Sequence, residues 1–181
     1  MKTLMGALTL LMATSCGSPV SFTVTQTSDS QVQPCPLGVV SITGLGFAQF
    51  ADIKLTETTE FKNNGVRAED LESVKLQSLD LRVVNPAGTE LGYLDSVSFF
   101  AEAPGQPRVL VADHTGFPAG HGVVQFDVKD VNLQPYLAAE KFTMTTEIVA
   151  HGCPFATQDL RATAVFAVEG LNPGLVGVFR P

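Results

Sequence analysis

The chain has 181 residues, with 11 Lys and Arg against 18 Asp and Glu, a formal net charge of −7, and no tryptophan. Its apolar share, 45%, is enough to fill a core at the size of one ordinary domain, so the chain is not of the disordered class. An acidic chain without a basic run excludes a binder that neutralises nucleic-acid phosphates. It equally excludes electrostatic docking on anionic lipid.

Residues 1–15 read as a secretory signal. Lys2 precedes an apolar run from Leu4 to Ala13, and small residues follow. That run fits the roughly 7–15-residue core of a signal peptide and falls short of the roughly 20 residues that span a bilayer. The junction Ala13-Thr14-Ser15-Cys16 resembles the lipobox of bacterial lipoproteins, with Ala13 standing where that family most often has leucine. The resemblance implies cleavage before Cys16, acylation of Cys16 with palmitate among its chains, and a membrane anchor in the cell envelope. Gly17, in place of the aspartate that retains such proteins in the inner membrane, leans towards the outer membrane. The alternative is ordinary secretion of a soluble periplasmic protein.

If Cys16 is acylated, Cys35 and Cys153 remain as an even pair in an oxidising compartment. Each is followed by proline, which places both in extended or turn segments. A bridge between them would close a loop of nearly 120 residues and contribute up to roughly 5 kcal/mol in the chain-entropy treatment. The alternative is two buried thiols that never meet. Neither cysteine sits near a base motif that would make it a nucleophile.

In chain order, Gly17-Ser18-Pro19 is a tether, and Val20–Gln26 alternates as a first strand with Val20, Phe22 and Val24 inward. Residues 28–34 are polar and read as a loop, and Leu37–Ile42 as a second strand. Phe47 to Phe61 reads as mostly extended, closed by Asn63-Asn64-Gly65. Ala68–Glu72 suits one helical turn. In Val74–Val84 the apolar parity shifts by one, which predicts a bulge near Gln77-Ser78. Asn85-Pro86-Ala87-Gly88 turns the chain, and strands follow at Val97–Ala101 and Val109–Ala112. The glycine-rich loop of residues 116–122 comes next, then alternation at Val124, Phe126 and Val128. Asn132–Glu140 predicts a helix capped by Asn132 with Pro135 in its first turn. The end reads as a hairpin, with Phe142, Met144, Thr146 and Ile148 in one inward row. Leu160, Ala162, Ala164, Phe166 and Val168 form the other.

Seven to nine short strands with turns between them predict an all-β antiparallel sandwich with one or two short helices. The expected organisation is a signal peptide over 1–15, then an acylated cysteine, tether and possible first strand over 16–35. A single sandwich domain takes 36–181. From Leu79 to Val168 the chain resembles two groups. One is a set of small bacterial envelope lipoproteins of unassigned activity, through Leu79-Asp80-Leu81-Arg82-Val83, Leu94-Asp95-Ser96-Val97 and Leu133-Gln134-Pro135-Tyr136-Leu137. The other is the water-stress domain of LEA14-like proteins, through Asn85-Pro86 closing an apolar strand. Both resemblances imply an Ig-like or fibronectin-like sandwich and supply no catalytic residues.

Candidate sites are few. Asp113, His114, His121 and His151 would make a zinc or copper site only if the fold converges them. Their spacing matches no short metal motif, and solvated loop histidines account for them as well. Glu57, Glu60, Glu69, Asp70 and Glu72 lack a calcium-loop pattern and read as a solvated acidic face. No Gly-x-Ser-x-Gly, Ser-x-x-Lys or phosphate-cradling glycine loop occurs. Tyr93 and Tyr136 are the only amphipathic rings, and the twelve phenylalanines read as core. The expected function is a lipid-anchored, non-catalytic structural or interaction module without a cofactor. Its partners would be the membrane and an envelope protein rather than nucleic acid. The alternatives are a carrier of lipid or another hydrophobic ligand and, last, a metal-binding or hydrolytic envelope protein.

Overall fold

Strict alternation of apolar and polar side chains commits a strand to one buried face. The computed structural model describes residues 18–36, 42, 45–117, 122–139 and 142–172. Among them the strands are β1 (Ser18–Val32), β2 (Leu71–Asn85), β3 (Leu94–Glu102), β4 (Val109–Thr115), β5 (Val123–Gln125), β6 (Asp127–Val128), β7 (Thr143–Ala150) and β8 (Gln158–Asn172). Two short helices, α1 (Thr59–Asn64) and α2 (Gln134–Leu137), accompany them. The strands form two antiparallel four-stranded sheets, ordered β1-β8-β2-β5 and β6-β4-β3-β7. The chain is therefore the expected all-β sandwich.

The inward rows meet between the sheets. Leu160, Ala162, Ala164, Phe166 and Val168 of β8 are 0% exposed, and so are Val97, Phe99 and Ala101 of β3. Phe99 lies 5.8, 6.3 and 5.2 Å from the rings of Phe47, Phe50 and Phe126. Phe142 and Phe166 close the other end of the core at 6.2 Å. These side chains belong to one buried cluster between the sheets.

Both flanks are covered. On one, β5 pairs with β2 and β6 with β4, so the chain changes sheets at the intervening Phe126. The Phe126 N–H donates to the Leu79 carbonyl at 2.9 Å. On the other flank, residues 45–58 cross from β1 to β7. Gln49 Oε1 accepts from Ser28 Oγ at 2.6 Å and from the Asp29 N–H at 3.1 Å. Ile53 N–H donates to the Phe142 carbonyl at 2.8 Å, and Thr146 Oγ1 to the Leu45 carbonyl at 2.8 Å. Part of each edge is thereby engaged by the chain itself, at the Asp29 N–H and the Phe142 carbonyl.

The bulge in β2 falls between Leu76 and Ser78, where the parity shift puts it. Five expectations need correction. The tether read over Gly17-Ser18-Pro19 is strand from Ser18 onward, because Ser18 and Pro19 pair with Asn172 and Leu171 of β8. The polar stretch Ser28–Val32 is strand, not loop, because β8 pairs with it through the backbone from Ser28↔Ala162 to Val32↔Gln158. Residues 47–61 are not extended. They form 3-10 turns at Ala48–Ala51 and Leu55–Glu57, and then α1, whose first turn is capped by Thr58 and whose end is Gly65 at φ 63°. The last two strands are not a hairpin, since β7 pairs with β3 while β8 pairs with β1 and β2. Finally, the helix over 132–140 shrinks to α2. Asn132 Oδ1 accepts from the Val74 N–H at 3.1 Å as well as from the Gln134 N–H at 3.0 Å, which ties the segment to β2. Cys16 and residues 37–41 of the second expected strand lie outside the described residues.

Phe99→Ala removes a ring wedged among three others and should lower unfolding free energy in urea by about 3–5 kcal/mol. Val149→Ala, at a side chain 58% exposed on β7, should change it by no more than about 0.5 kcal/mol. Equal effects would contradict the packing described.

Candidate functional site at the disulfide end

The site is built where β1 ends and β8 begins. Beyond the Val32↔Gln158 pair, Cys35 and Cys153 are joined by a disulfide with their Cα atoms 5.7 Å apart. The bond spans 118 residues and fixes the β7–β8 loop to the end of β1. Thr157 Oγ1 donates to Gln33 Oε1 at 2.7 Å beside it, and Gln31 Nε2 to Asp159 Oδ1 at 2.8 Å. Both cysteines lie outside helix and strand, as the prolines that follow them imply.

Between this pinned loop and the β2–β3 loop lies a cleft of about 510 Å³. Its floor is Tyr93, whose hydroxyl donates to Gln158 Oε1 at 2.9 Å. Gln158 is 4% exposed, and its Nε2 donates to the Glu90 carbonyl at 3.3 Å. Burial pushes the Tyr93 phenol up to about 12, because the phenolate would lose its water. One wall is His151, with Nδ1 at 2.7 Å from Asp95 Oδ1 and its N–H donating to the Tyr93 carbonyl at 3.2 Å. On the rim stands Phe155, whose side chain is wholly exposed, at 107% of the reference area. Phe155 thus departs from the reading of the phenylalanines as core.

Thr89 Oγ1 is committed to the Pro86 carbonyl at 2.8 Å, and Cys153 is bonded to Cys35. Neither is held towards the His151–Asp95 pair.

Among the described residues, His114 and His151 do not share a site. His151 pairs with Asp95, whereas His114 sits edge-on to Phe117 at 5.0 Å and beside Phe126 at 5.8 Å, its Nε2 buried without a partner. His121 lies outside the described residues. Among the described residues no three His, Cys, Asp or Glu side chains group as metal ligands. In the acidic stretch, Glu57 and Glu69 are exposed in loose pairs with Lys54 and Arg67 at 3.6 and 3.8 Å. Tyr93, Phe155 and Gln158 had no motif to announce them. The one available signal was an aromatic residue in a Gly-Cys-Pro segment that has no strand periodicity.

Because the folded phenol of Tyr93 titrates above the unfolded value near 10, its stabilisation is complete below about pH 10 and is lost as pH rises towards 12. An absorbance titration at the phenolate band should show a step near pH 12 that Tyr93→Phe removes. That variant should also lose about 1–3 kcal/mol at neutral pH, since Gln158 Oε1 is left buried without a donor. A step at pH 10 that Tyr93→Phe abolishes would contradict the site.

No protein family matches this chain, and no curated protein matches it. Among solved structures, a chain of Desmodium yellow mottle tymovirus is similar at 12% identity. That likeness covers 94% of this chain and 92% of the other with a TM-score of 0.30, which implies nothing about fold or function.

Proposed function

We propose that the protein is a lipid-anchored, non-catalytic module of the cell envelope that holds an interaction site away from the membrane. The observation that carries this reading is the direction of β1. Its first residue, Ser18, follows the lipobox cysteine by two positions, and its last, Val32, abuts the disulfide and the cleft. Fifteen residues of strand at roughly 3.3 Å each separate the two ends by about 45 Å.

That strand is suited to be a strut. It is paired along its whole length with β8, whose inward row is fully buried, and the chain just beyond its far end is covalently tied through Cys35. An acyl group on Cys16 would place one end of the molecule at the bilayer and turn the cleft outward. The signal peptide, the lipobox and the resemblance to envelope lipoproteins support the address, and Gly17 supports the outer membrane. The fully buried inward rows of β3 and β8 favour an interaction module over carriage of an acyl chain between the sheets.

Cells expressing the protein and fed radioactive palmitate should label it, and Cys16→Ala should abolish the label and move the protein to the soluble fraction. Absence of label on the native protein would end the anchored reading.

A further inference from the structure

We propose that the outer edge of β1, from Ser21 to Thr27, takes an extended segment of a partner protein as an added strand of the first sheet. The proposal goes beyond the anchored reading and rests on it only where a partner is preferred to a second copy.

Main-chain geometry is the first ground. In an antiparallel ladder alternate residues turn their N–H and C=O groups to opposite edges. The Asp29 N–H donates to Gln49 Oε1 at 3.1 Å, outside the β1–β8 ladder, so the odd-numbered residues of β1 face away from β8. Ser21, Thr23, Thr25 and Thr27 therefore present their N–H and C=O groups outward, about 7 Å from one to the next. Among the described residues nothing donates to these groups or accepts from them. The far edge of the same sheet is treated differently. There the Val74 carbonyl accepts from the Leu133 N–H at 2.6 Å, and the Val74 N–H donates to Asn132 Oδ1 at 3.1 Å. Further along that edge β5 pairs with β2 from Asp80 to Arg82.

The second ground is that β1 lacks the devices that keep an edge from pairing, namely a charge, an interior proline or a bulge. From Ser18 to Ser28 it carries no Lys, Arg, Asp or Glu, and its one proline is its second residue. Its register with β8 runs without a shift over all fifteen positions. A long, uninterrupted, uncharged edge of this kind satisfies its main-chain groups by strand addition. Side chains set the chemistry of the occupant. Val20 and Phe22 are half-buried on the inward row, while Ser21, Thr23, Thr25 and Thr27 are exposed on the other. A fitting strand has apolar residues at alternate positions, threonine or serine between them, and no charge within the paired stretch. A second copy offers the same edge, but two identical strands pair about a two-fold axis only when antiparallel. That arrangement points the two Cys16 ends in opposite directions along the ladder, which opposes two anchors in one bilayer.

The test uses the full chain, labelled with nitrogen-15, and two blocked peptides in which valine and threonine alternate. The second peptide has the same side chains with its main-chain amides N-methylated, so it cannot donate to an edge. In the free protein the amides of Thr23, Thr25 and Thr27 should exchange with solvent on the order of a hundred-fold faster than those of Phe22, Val24 and Gln26. Saturation with the first peptide should slow the odd-numbered set about ten-fold or more, and the N-methylated peptide should leave it unchanged. Thr25→Pro removes an outward N–H that the β8 ladder does not use. It should weaken the first peptide about ten-fold while Phe22 and Val24 stay protected. Where that variant loses their protection, the comparison of the two peptides on the native chain decides. Odd-numbered amides already protected in the free monomer, or protected by a dimer that forms as concentration rises, would overturn the proposal. So would equal effects of the two peptides, or no effect of either. Palmitate labelling is independent of these readouts. A labelled protein whose β1 edge stays open keeps its anchor and loses this site, whereas an unlabelled protein that takes the peptide does the reverse.

Discussion

β8 is hydrogen-bonded along both edges, to β1 over fifteen positions and to β2 over most of its length, and everything else is arranged around that double ladder. Its inward row from Leu160 to Val168 excludes solvent completely, which commits the opposing sheet to fill the space above it. Small Ala162 and Ala164 share that row with Phe166, so large rings from the facing sheet have somewhere to go. Both ends of the molecule also hang on β8. At one end its first side chain, Gln158, is the polar floor under Tyr93. At the other, Gly170 lets it pass so close to the turn before β2 that a Cβ there would sit 2.8 Å from the Asp70 carbonyl oxygen.

The electrostatics follow from the same frame. On the outer face of the first sheet Arg161 holds Asp29 through two bonds of 2.6 and 3.0 Å. Arg108 bridges Glu102 and Glu147. Exposed pairs of this kind each contribute on the order of 0–1 kcal/mol, so they shape the surface potential more than they hold the fold. The end pinned by Cys35 and Cys153 carries the Tyr93–Gln158 pair and the exposed Phe155 ring. Stability resides in the core and the cross-link, while the distinctive surface chemistry resides at one end.

How much of this was legible in sequence depended on whether side chains or backbone decided the matter. Where an apolar face had to be buried, alternation sufficed. The inward row of β8, the bulge between Leu76 and Ser78, and the sandwich class could all be read from the residues. Cysteine parity pointed to Cys35 and Cys153 in the same way. Where backbone pairing or a single hydrogen bond decided, the sequence was silent. Ser28–Val32 looks like a loop until β8 is laid beside it, and Asn132 looks like a helix cap until Val74 offers its N–H. The cleft was invisible for a related reason. Its residues are brought together from loops about sixty positions apart, and Phe155 was indistinguishable in composition from the core phenylalanines.

The central claim is geometric, with the anchor at one end of the β1–β8 ladder and the cleft at the other. The chain contains no tryptophan, so one introduced at either end reports alone. The lipidated protein, carrying either Leu171→Trp or Phe155→Trp, would be placed in vesicles with nitroxide-labelled headgroups. Leu171 pairs with Pro19 near the start of β1 and is 37% exposed, so fluorescence from Leu171→Trp should be strongly quenched. Fluorescence from Phe155→Trp, about 45 Å along the strand, should be untouched. Quenching of Phe155→Trp as strong as that of Leu171→Trp would place the cleft on the membrane and contradict the account.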